Sequence, residues 1–463
     1  MEKRRRCSGT CKIDQLPDDV INLILSQLTV AEALRTSVLS QRWQNMWHSI
    51  VCLDFNSSTV LPLESLDDLL FNDYSPKHKQ DWYISWVNKV LEGSLASPGQ
   101  DLKELKIHHL LNACHQHQID KWIHFPMAKR IESLHFELRS YTGKFSYGVD
   151  QYQLCEEAWF NSPTGLSNIR CLKSLTLSCV KFTTQFMNFI FTNCSLLELL
   201  SIEYLGAQTG PEISVSSYPV HLKRLRICST YDNMLLNLCA PNLTSFEYRG
   251  PRLSPDKVDV PKLVDLSVGL SRHILKHLKP FWSRLSQLES LELQPHWERT
   301  LKLNHIPKLY KLKRLTLHLG WDPSALCSEF IQFMKACPLL ENFILKMVVN
   351  CSVPRLRTAA AGCPSKDEQG GQKQHLFQCL KTVEFVGICD EILDMMFPKC
   401  VISNAPHIEK IVLNTQRPSK YKSYRSSVPE VIETIARKIK STEHKAKKLQ
   451  KRLPVGTTVV IIR

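Results

Sequence analysis

Leu288-Glu289-Ser290-Leu291-Glu292-Leu293 and Leu312-Lys313-Arg314-Leu315-Thr316-Leu317 share one spacing of apolar residues, Leu-x-x-Leu-x-Leu. The spacing recurs along the chain, with starts at Leu102, Ile131, Leu172, Leu197, Leu222, Leu243, Leu263, Leu288, Leu312, Leu340, Leu380 and Ile408. One match means little in a leucine-rich chain. Most steps between starts, however, fall between 20 and 29 residues, the period at which a strand and its return segment stack on the next unit. Two longer steps, Ile131 to Leu172 and Leu340 to Leu380, mark insertions. Pro241, Pro261, Pro338 and Pro406 each stand two residues before a start and punctuate the turns. The expected fold is an α/β leucine-rich-repeat solenoid with a parallel β-sheet.

Alternation sets the direction of each side chain. The second and third apolar residues of a unit point into the core, and the residues beside them face outward along the stacked sheet. The positions two, four and six places after the starts carry seven basic and seven acidic residues. A nucleic-acid groove needs one sign in excess, whereas a mixed-sign face suits a protein partner. Arg224, Arg226, Glu247, Arg249, Glu292 and Arg314 are the substrate contacts expected on this face; the alternative is a merely solvated surface.

The front of the chain is built differently. In Leu16-Pro17-Asp18-Asp19, proline suits a first helical position and the two acids favour the positive end of a helix dipole. Val20, Ile21, Ile24, Leu25 and Leu28 follow at helical spacing. Thr29-Val30-Ala31-Glu32 is a capping box that opens a second helix carrying Ala33, Leu34 and Val38. Ser40 caps a third with Trp43, Met46, Trp47 and Ile50. Three such short helices cannot bury this many aliphatic and indole groups among themselves, so they pack on the rest of the chain or on another protein.

Leu16-Pro17-Asp18-Asp19-Val20-Ile21, Ile24-Leu25-Ser26 and Ala33-Leu34-Arg35-Thr36-Ser37-Val38-Leu39-Ser40-Gln41-Arg42-Trp43, with Trp47, resemble an F-box of the plant type. The resemblance implies docking on a Skp1-like adaptor, and through it on a cullin–RING ubiquitin ligase. Matched to that motif, Leu16, Pro17, Ile24, Leu28, Leu39, Arg42 and Trp43 are the adaptor-facing or interface-shaping positions. Where the motif usually has Leu-Pro after the first helix, this chain has Leu28-Thr29. Towards the other end, Cys379-Leu380-Lys381-Thr382-Val383-Glu384-Phe385 and Asn404-Ala405-Pro406-His407-Ile408-Glu409-Lys410 resemble the FBD domain that accompanies F-boxes and leucine-rich repeats in plant proteins. The expected organisation is an F-box at 11–55, a linker and helix at 56–100, repeats at 101–350, an exposed loop at 351–374 and an FBD-like αβ unit at 375–463. In the linker region a helix is expected to bury Trp82, Trp86, Val87, Val90 and Leu91.

Charge is uneven along the chain. The net charge is +15, of which +10 lies between Arg417 and the end, so the body is nearly balanced. Glu430 to Leu453 reads as a basic helix with Val431, Ile432, Ile435, Ile439 and Leu449 on one face, docked on the last repeat, and Thr457 to Ile462 as a final strand. Attraction of this tail to RNA is the competing reading.

No apolar run approaches the roughly 18 residues that cross a bilayer, and the first residues do not form a signal peptide, so neither membrane insertion nor secretion is expected. The 17 cysteines are unpaired in spacing and read as reduced thiols in cytoplasm or nucleus. The His108-His109…Cys114-His115…His117 cluster matches no metal-ligand spacing, and no glycine-rich phosphate loop or nucleophile motif occurs. A non-catalytic receptor without cofactor or metal is expected, with a protein substrate and no nucleic acid; the alternative is an interaction scaffold outside any ligase.

Overall fold

The computed structural model describes residues 12–46, 50–57, 77–95, 102–109, 111–127, 129–138, 152–154, 168–204, 213–215, 221–229, 236–250, 258–271, 278–295, 307–319, 331, 333–347, 376–387, 396–415, 429–451, 453 and 456–462. Two compact units divide the chain, residues 1–203 and 204–463. Trp47 and the stretch 351–374 lie outside the described residues.

The first unit opens with α1 (Asp18–Ser26), α2 (Val30–Arg35) and α3 (Gln41–Met46). Pro17 stands at the N-cap of α1, one place before the first turn expected for it, and its carbonyl accepts from the N–H groups of Val20 and Ile21. The capping box of α2 is complete: Thr29 N–H donates to Glu32 Oε2 at 2.9 Å and Thr29 Oγ1 accepts from Glu32 N–H at 3.3 Å. Ser40 Oγ accepts from Trp43 N–H at 3.4 Å, starting α3. Ile21, Leu25, Ala33 and Trp43 form the core of the trio, with Ile13, Leu16, Leu28, Met46 and Ile50 packed around it.

The trio leads into a parallel ladder of β1 (Cys52–Asn56), β2 (Glu104–His108), β3 (Ser133–Glu137), β4 (Ser174–Ser178) and β5 (Leu199–Tyr204), paired in that order. β1, inside the stretch read from sequence as helical front end, belongs to this ladder because Leu53 and Phe55 repeat the inward alternation. The linker helix α4 (Lys77–Leu95) forms, but with a corrected stripe. Tyr83, Val87, Val90 and Leu91 are buried, while Trp82 is exposed and stacks on Trp86. Tyr83 takes the inward place because its hydroxyl donates to the Phe55 carbonyl at 2.6 Å, leaving Trp82 one helical step, about 100°, outside the stripe. Helices α5 (Gln116–Met127) and α6 (Thr184–Asn193) return the chain between strands.

The second unit repeats the scheme with β6 (Arg224–Ser229), β7 (Ser245–Arg249), β8 (Asp265–Ser271), β9 (Ser290–Pro295), β10 (Arg314–Leu319), β11 (Asn342–Met347), β12 (Thr382–Val386), β13 (Lys410–Asn414) and β14 (Thr458–Ile462). Every neighbouring pair is parallel. Helix α7 (Met396–Ser403) precedes β13, and α8 (Pro429–Gln450) precedes β14. Across both units, all twelve start residues read from the sequence and the apolar residues three and five places after each are buried. At about 25 cal/mol per Å² of apolar area, these stacked aliphatic rows are the main driving force for folding.

A second regularity runs along the strand entrances. After ten of the twelve starts the next residue offers its carbonyl to two N–H groups of the following unit: Lys173 O accepts from Glu198 and Leu199, and Lys313 O from Glu341 and Asn342. The side chains at this position alternate in sign. The first unit has Lys103, Glu132, Lys173 and Glu198; the second has Lys223, then the neutral Thr244 and Val264, then Glu289, Lys313, Glu341, Lys381 and Glu409. Lys173–Glu132 (2.8 Å), Lys313–Glu289 (3.4 Å) and Lys381–Glu341 (3.6 Å) close as ion pairs.

Candidate functional site

Two surfaces concentrate the chemistry. The first is the outside of the α1–α3 trio. With the trio's core closed from within, Leu23 (64% exposed), Ile24 (36%), Val38 (85%) and Leu39 (48%) are left facing solvent, and Val20 joins them. Among the expected adaptor positions, Ile24 and Leu39 are on this surface, Pro17 is exposed, and Leu16 and Leu28 are half-buried. Arg42 is paired within the chain: its guanidinium donates to Asp18 Oδ1, from Nε at 3.2 Å, and braces α3 against the first turn of α1. Of the two roles expected for these positions, Trp43 has the shaping one. At 1% exposure it is a core residue of the trio and shapes the surface without offering contact area. Leu23 and Val38 were missed as surface groups. The available signal was that Val20, Ile21, Leu23, Ile24 and Leu25 spread apolar residues over an arc of about 200° on a nine-residue helix, more than one buried face absorbs.

The second surface is the outward sheet face of the second unit. Register sets Arg226, Glu247, Ser267 and Glu292 in one row across β6 to β9, and Arg249, Gly269 and Gln294 in the next row across β7 to β9. Beyond them His318 stands beside Lys346 on β10 and β11. Glu247 pairs with Arg226 Nε (3.2 Å) and Arg249 Nε (2.6 Å). Arg249 Nη1 then reaches across β8 to donate to Gln294 Oε1 at 2.7 Å, with Nη2 4.0 Å from Glu292. That span exists because Gly269 lies beneath it: a Cβ there would come within 2.9 Å of Gln294 Cβ. Glu292 gathers His318 Nε2 (2.5 Å), Lys346 Nζ (3.1 Å) and Ser267 Oγ (3.2 Å).

Burial alone would raise the Glu292 carboxyl, but hydrogen bonds from His318 and Lys346 and their positive charges, that of His318 once acid has protonated it, outweigh burial and hold the group well below the ordinary carboxylate range. Burial pushes the His318 imidazole down, so at neutral pH it is a neutral donor through Nε2. Of the expected substrate contacts, the structure brings Arg226, Glu247, Arg249 and Glu292 into this cluster; Arg224 and Arg314 are exposed at the strand entrances, outside it. Gln294, His318, Ser267 and Gly269 went unnoticed because only formal charges were counted, although His318 and Gln294 follow the same six-place rule.

The first unit carries a smaller version. Glu104 meets Lys106 (2.9 Å), Ser133 Oγ (3.2 Å) and His135 (3.7 Å). In the histidine-rich stretch, His109 is buried and stacked on Tyr83 with ring centroids 4.1 Å apart, while His115 folds back on Asn112. Among the described residues no three His, Cys, Asp or Glu side chains are grouped to hold a metal ion. The described cysteines are free thiols, and burial pushes Cys194 and Cys337 up to about 12, which leaves them unreactive at neutral pH. No described helix is long and apolar enough to cross a membrane.

A repeat solenoid headed by a small helical trio with an exposed apolar surface is the build of an interaction protein. Comparison with known families agrees: residues 97–453 match the model described as At1g61320/AtMIF1, LRR domain, and residues 13–54 match the F-box domain. The first match spans most of the chain, and the chain belongs to this leucine-rich-repeat family. Among curated proteins of Arabidopsis thaliana, it is 23% identical to F-box protein At5g03100 over 74% of this chain and the whole of that protein. It is 23% identical to the putative FBD-associated F-box protein At1g61330 over 93% of this chain and 97% of that one. To the F-box/FBD/LRR-repeat protein At5g53840 it is 25% identical over 73% and 74%. The chain is an F-box/leucine-rich-repeat protein, a protein-interaction module.

Proposed function

We propose that this protein is the substrate-recognition subunit of an SCF-type ubiquitin ligase. The trio docks on a Skp1-like adaptor, and the outward sheet face of the repeats holds a protein target. The observation that carries the reading is the apolar patch of Val20, Leu23, Ile24, Val38 and Leu39 lying over a core that is already closed. Solvent contact of so many aliphatic groups is unfavourable, and a partner helix or strand that covers them gains the burial energy. Arg42–Asp18 ties α3 to α1 and the Thr29–Glu32 box fixes the start of α2, so the patch is preorganised for binding. The receptor has no reaction of its own in this scheme. It raises the local concentration of target lysines beside a ubiquitin-loaded enzyme.

The test is a pull-down of the full chain with a Skp1-like protein, repeated with Leu16→Ala/Pro17→Ala, followed by ubiquitination of a captured partner in the reconstituted complex. Loss of binding in the variant is expected. An unmutated chain that does not retain the adaptor refutes the reading, and adaptor binding without ubiquitin transfer to any captured protein leaves a scaffold in its place.

A further inference from the structure

The end of the second unit is finished unlike its interior. Val459 and Ile461 fill the two inward positions of β14, yet both are half-buried, whereas Ile411 and Leu413 in β13 and Val383 and Phe385 in β12 are sealed. On the outward side Val460 and Ile462 are 36% and 39% exposed. Edge strands are ordinarily blunted by charges or proline, and β14 (Thr458-Val-Val-Ile-Ile462) has neither.

Its hydrogen-bonding edge is partly occupied. Thr458 N–H donates to Glu409 O and Ile462 O accepts from Thr415 N–H, so residues 458, 460 and 462 bond towards β13 while 459 and 461 point to the free edge. At the first free rung the Gln450 side chain takes the place of a neighbour: Nε2 donates to Thr457 O at 2.8 Å and Oε1 accepts from Val459 N–H at 2.9 Å. One side-chain amide thus stands where the peptide group of a further strand would lie. At the next rung, Ile461, no described residue fills that place.

Gln450 ends α8, so the last turn of that helix lies beside this edge. From Arg437 to Lys451 the helix and the residue after it carry seven Lys and Arg against one Glu, and Lys447, Lys448 and Lys451 around Gln450 are all exposed.

We propose that β14 and the last turn of α8 form a docking edge for an extended acidic segment of a partner protein, which adds to β14 as a further parallel or antiparallel strand and sets its carboxylates against these lysines. Charge selects the occupant. A second copy of this chain would bring a second cationic helix to the same edge, and β14 offers aliphatic side chains without the aromatic platforms on which nucleic-acid bases stack. Strand addition supplies backbone hydrogen bonds, and the exposed Val460 and Ile462 supply the pockets between alternate side chains.

The experiment is fluorescence anisotropy of the full chain with a labelled nonapeptide of alternating glutamate and valine, against a nonaglutamate control and a single-stranded oligouridine. The alternating peptide is expected to bind about tenfold tighter than nonaglutamate, since only it has both strand propensity and charge. The triple variant Lys447→Glu/Lys448→Glu/Lys451→Glu should abolish binding. Gln450→Ala should tighten it about fivefold by opening the occupied rung, one hydrogen bond's worth of affinity. That gain reports strand addition independently of charge and does not depend on a destabilising proline variant. Equal affinity for both peptides, preference for the oligouridine, concentration-dependent dimerisation through β14, or no peptide binding would each overturn the proposal.

Discussion

His109 offers the sharpest test of how the first unit is packed. Its ring lies against Tyr83 at 4.1 Å, and neither ring nitrogen has a hydrogen-bond partner among the described residues. Burial, with help from the nearby His108 and His115, lowers its pKa from 6.5 to about 3. A depressed imidazole makes folding proton-sensitive in one direction. Above pH 6.5 the side chain is neutral in both folded and unfolded chains, and stability is unaffected. As pH falls below 6.5 the unfolded chain takes up the proton while the folded one does not, so stability declines until the folded group also titrates near pH 3. Between pH 7 and pH 5 the loss from this residue amounts to about 2 kcal/mol, at 1.36 kcal/mol per unit of difference in proton uptake. His109→Phe keeps an aromatic ring on Tyr83 and removes the titration. Urea unfolding followed by tryptophan fluorescence, run on both proteins at each pH, isolates the effect, because the other depressed histidines (His115, His135 and His318) contribute equally to both. The unmutated protein should lose about 2 kcal/mol more than the variant. Parallel losses in the two proteins would refute the argument that His109 is a buried neutral ring.

Leu23→Glu and Val38→Glu, on the exposed patch, should leave the melting temperature unchanged and weaken adaptor binding at least tenfold by surface plasmon resonance. Thr29→Ala removes the capping box and should cost about 1 kcal/mol in thermal unfolding. Gly269→Val drives a side chain into Gln294 and should cost about 1–3 kcal/mol, with loss of the Arg249–Gln294 contact detectable by crystallography. For the half-exposed pair Lys313 and Glu289, a charge-reversal cycle by thermal unfolding should give a coupling near 0.5 kcal/mol that vanishes in 1 M salt.

The solenoid was legible because one physical demand repeats twelve times: each unit must hide three apolar residues at fixed spacing, and Leu288, Leu291 and Leu293 state the rule that Leu102 and Ile408 obey. Single departures from a period were not. β1 does carry a leading apolar residue, Ile50, three places before Leu53, but helical spacing assigns Ile50 to the third helix of the trio, so Leu53 and Phe55 did not register as a unit. Trp82 and Tyr83 are adjacent aromatics whose choice of burial turned on a hydroxyl partner, Phe55 O, distant in sequence. For the candidate site, the outward charges were readable from alternation, but their pairing was not. The reach of Arg249 over Gly269 depends on three strands arriving in register, and a neutral glutamine and histidine complete the cluster. In the helical trio, motif matching located the patch but could not separate Trp43, which supports it from below, from Leu23 and Val38, which compose it.

The sign alternation at the strand entrances has a consequence for how such an array can change length. Removing one turn of the coil would set glutamate beside glutamate or lysine beside lysine, whereas removing two restores opposite neighbours. The neutral Thr244 and Val264 keep the count in phase, since Glu289 falls where an unbroken alternation from Lys223 would put an acid. Within this stretch the chain therefore tolerates insertion or loss most easily in pairs, and the two uncharged positions mark the place where a single turn can be gained or lost without bringing like charges together.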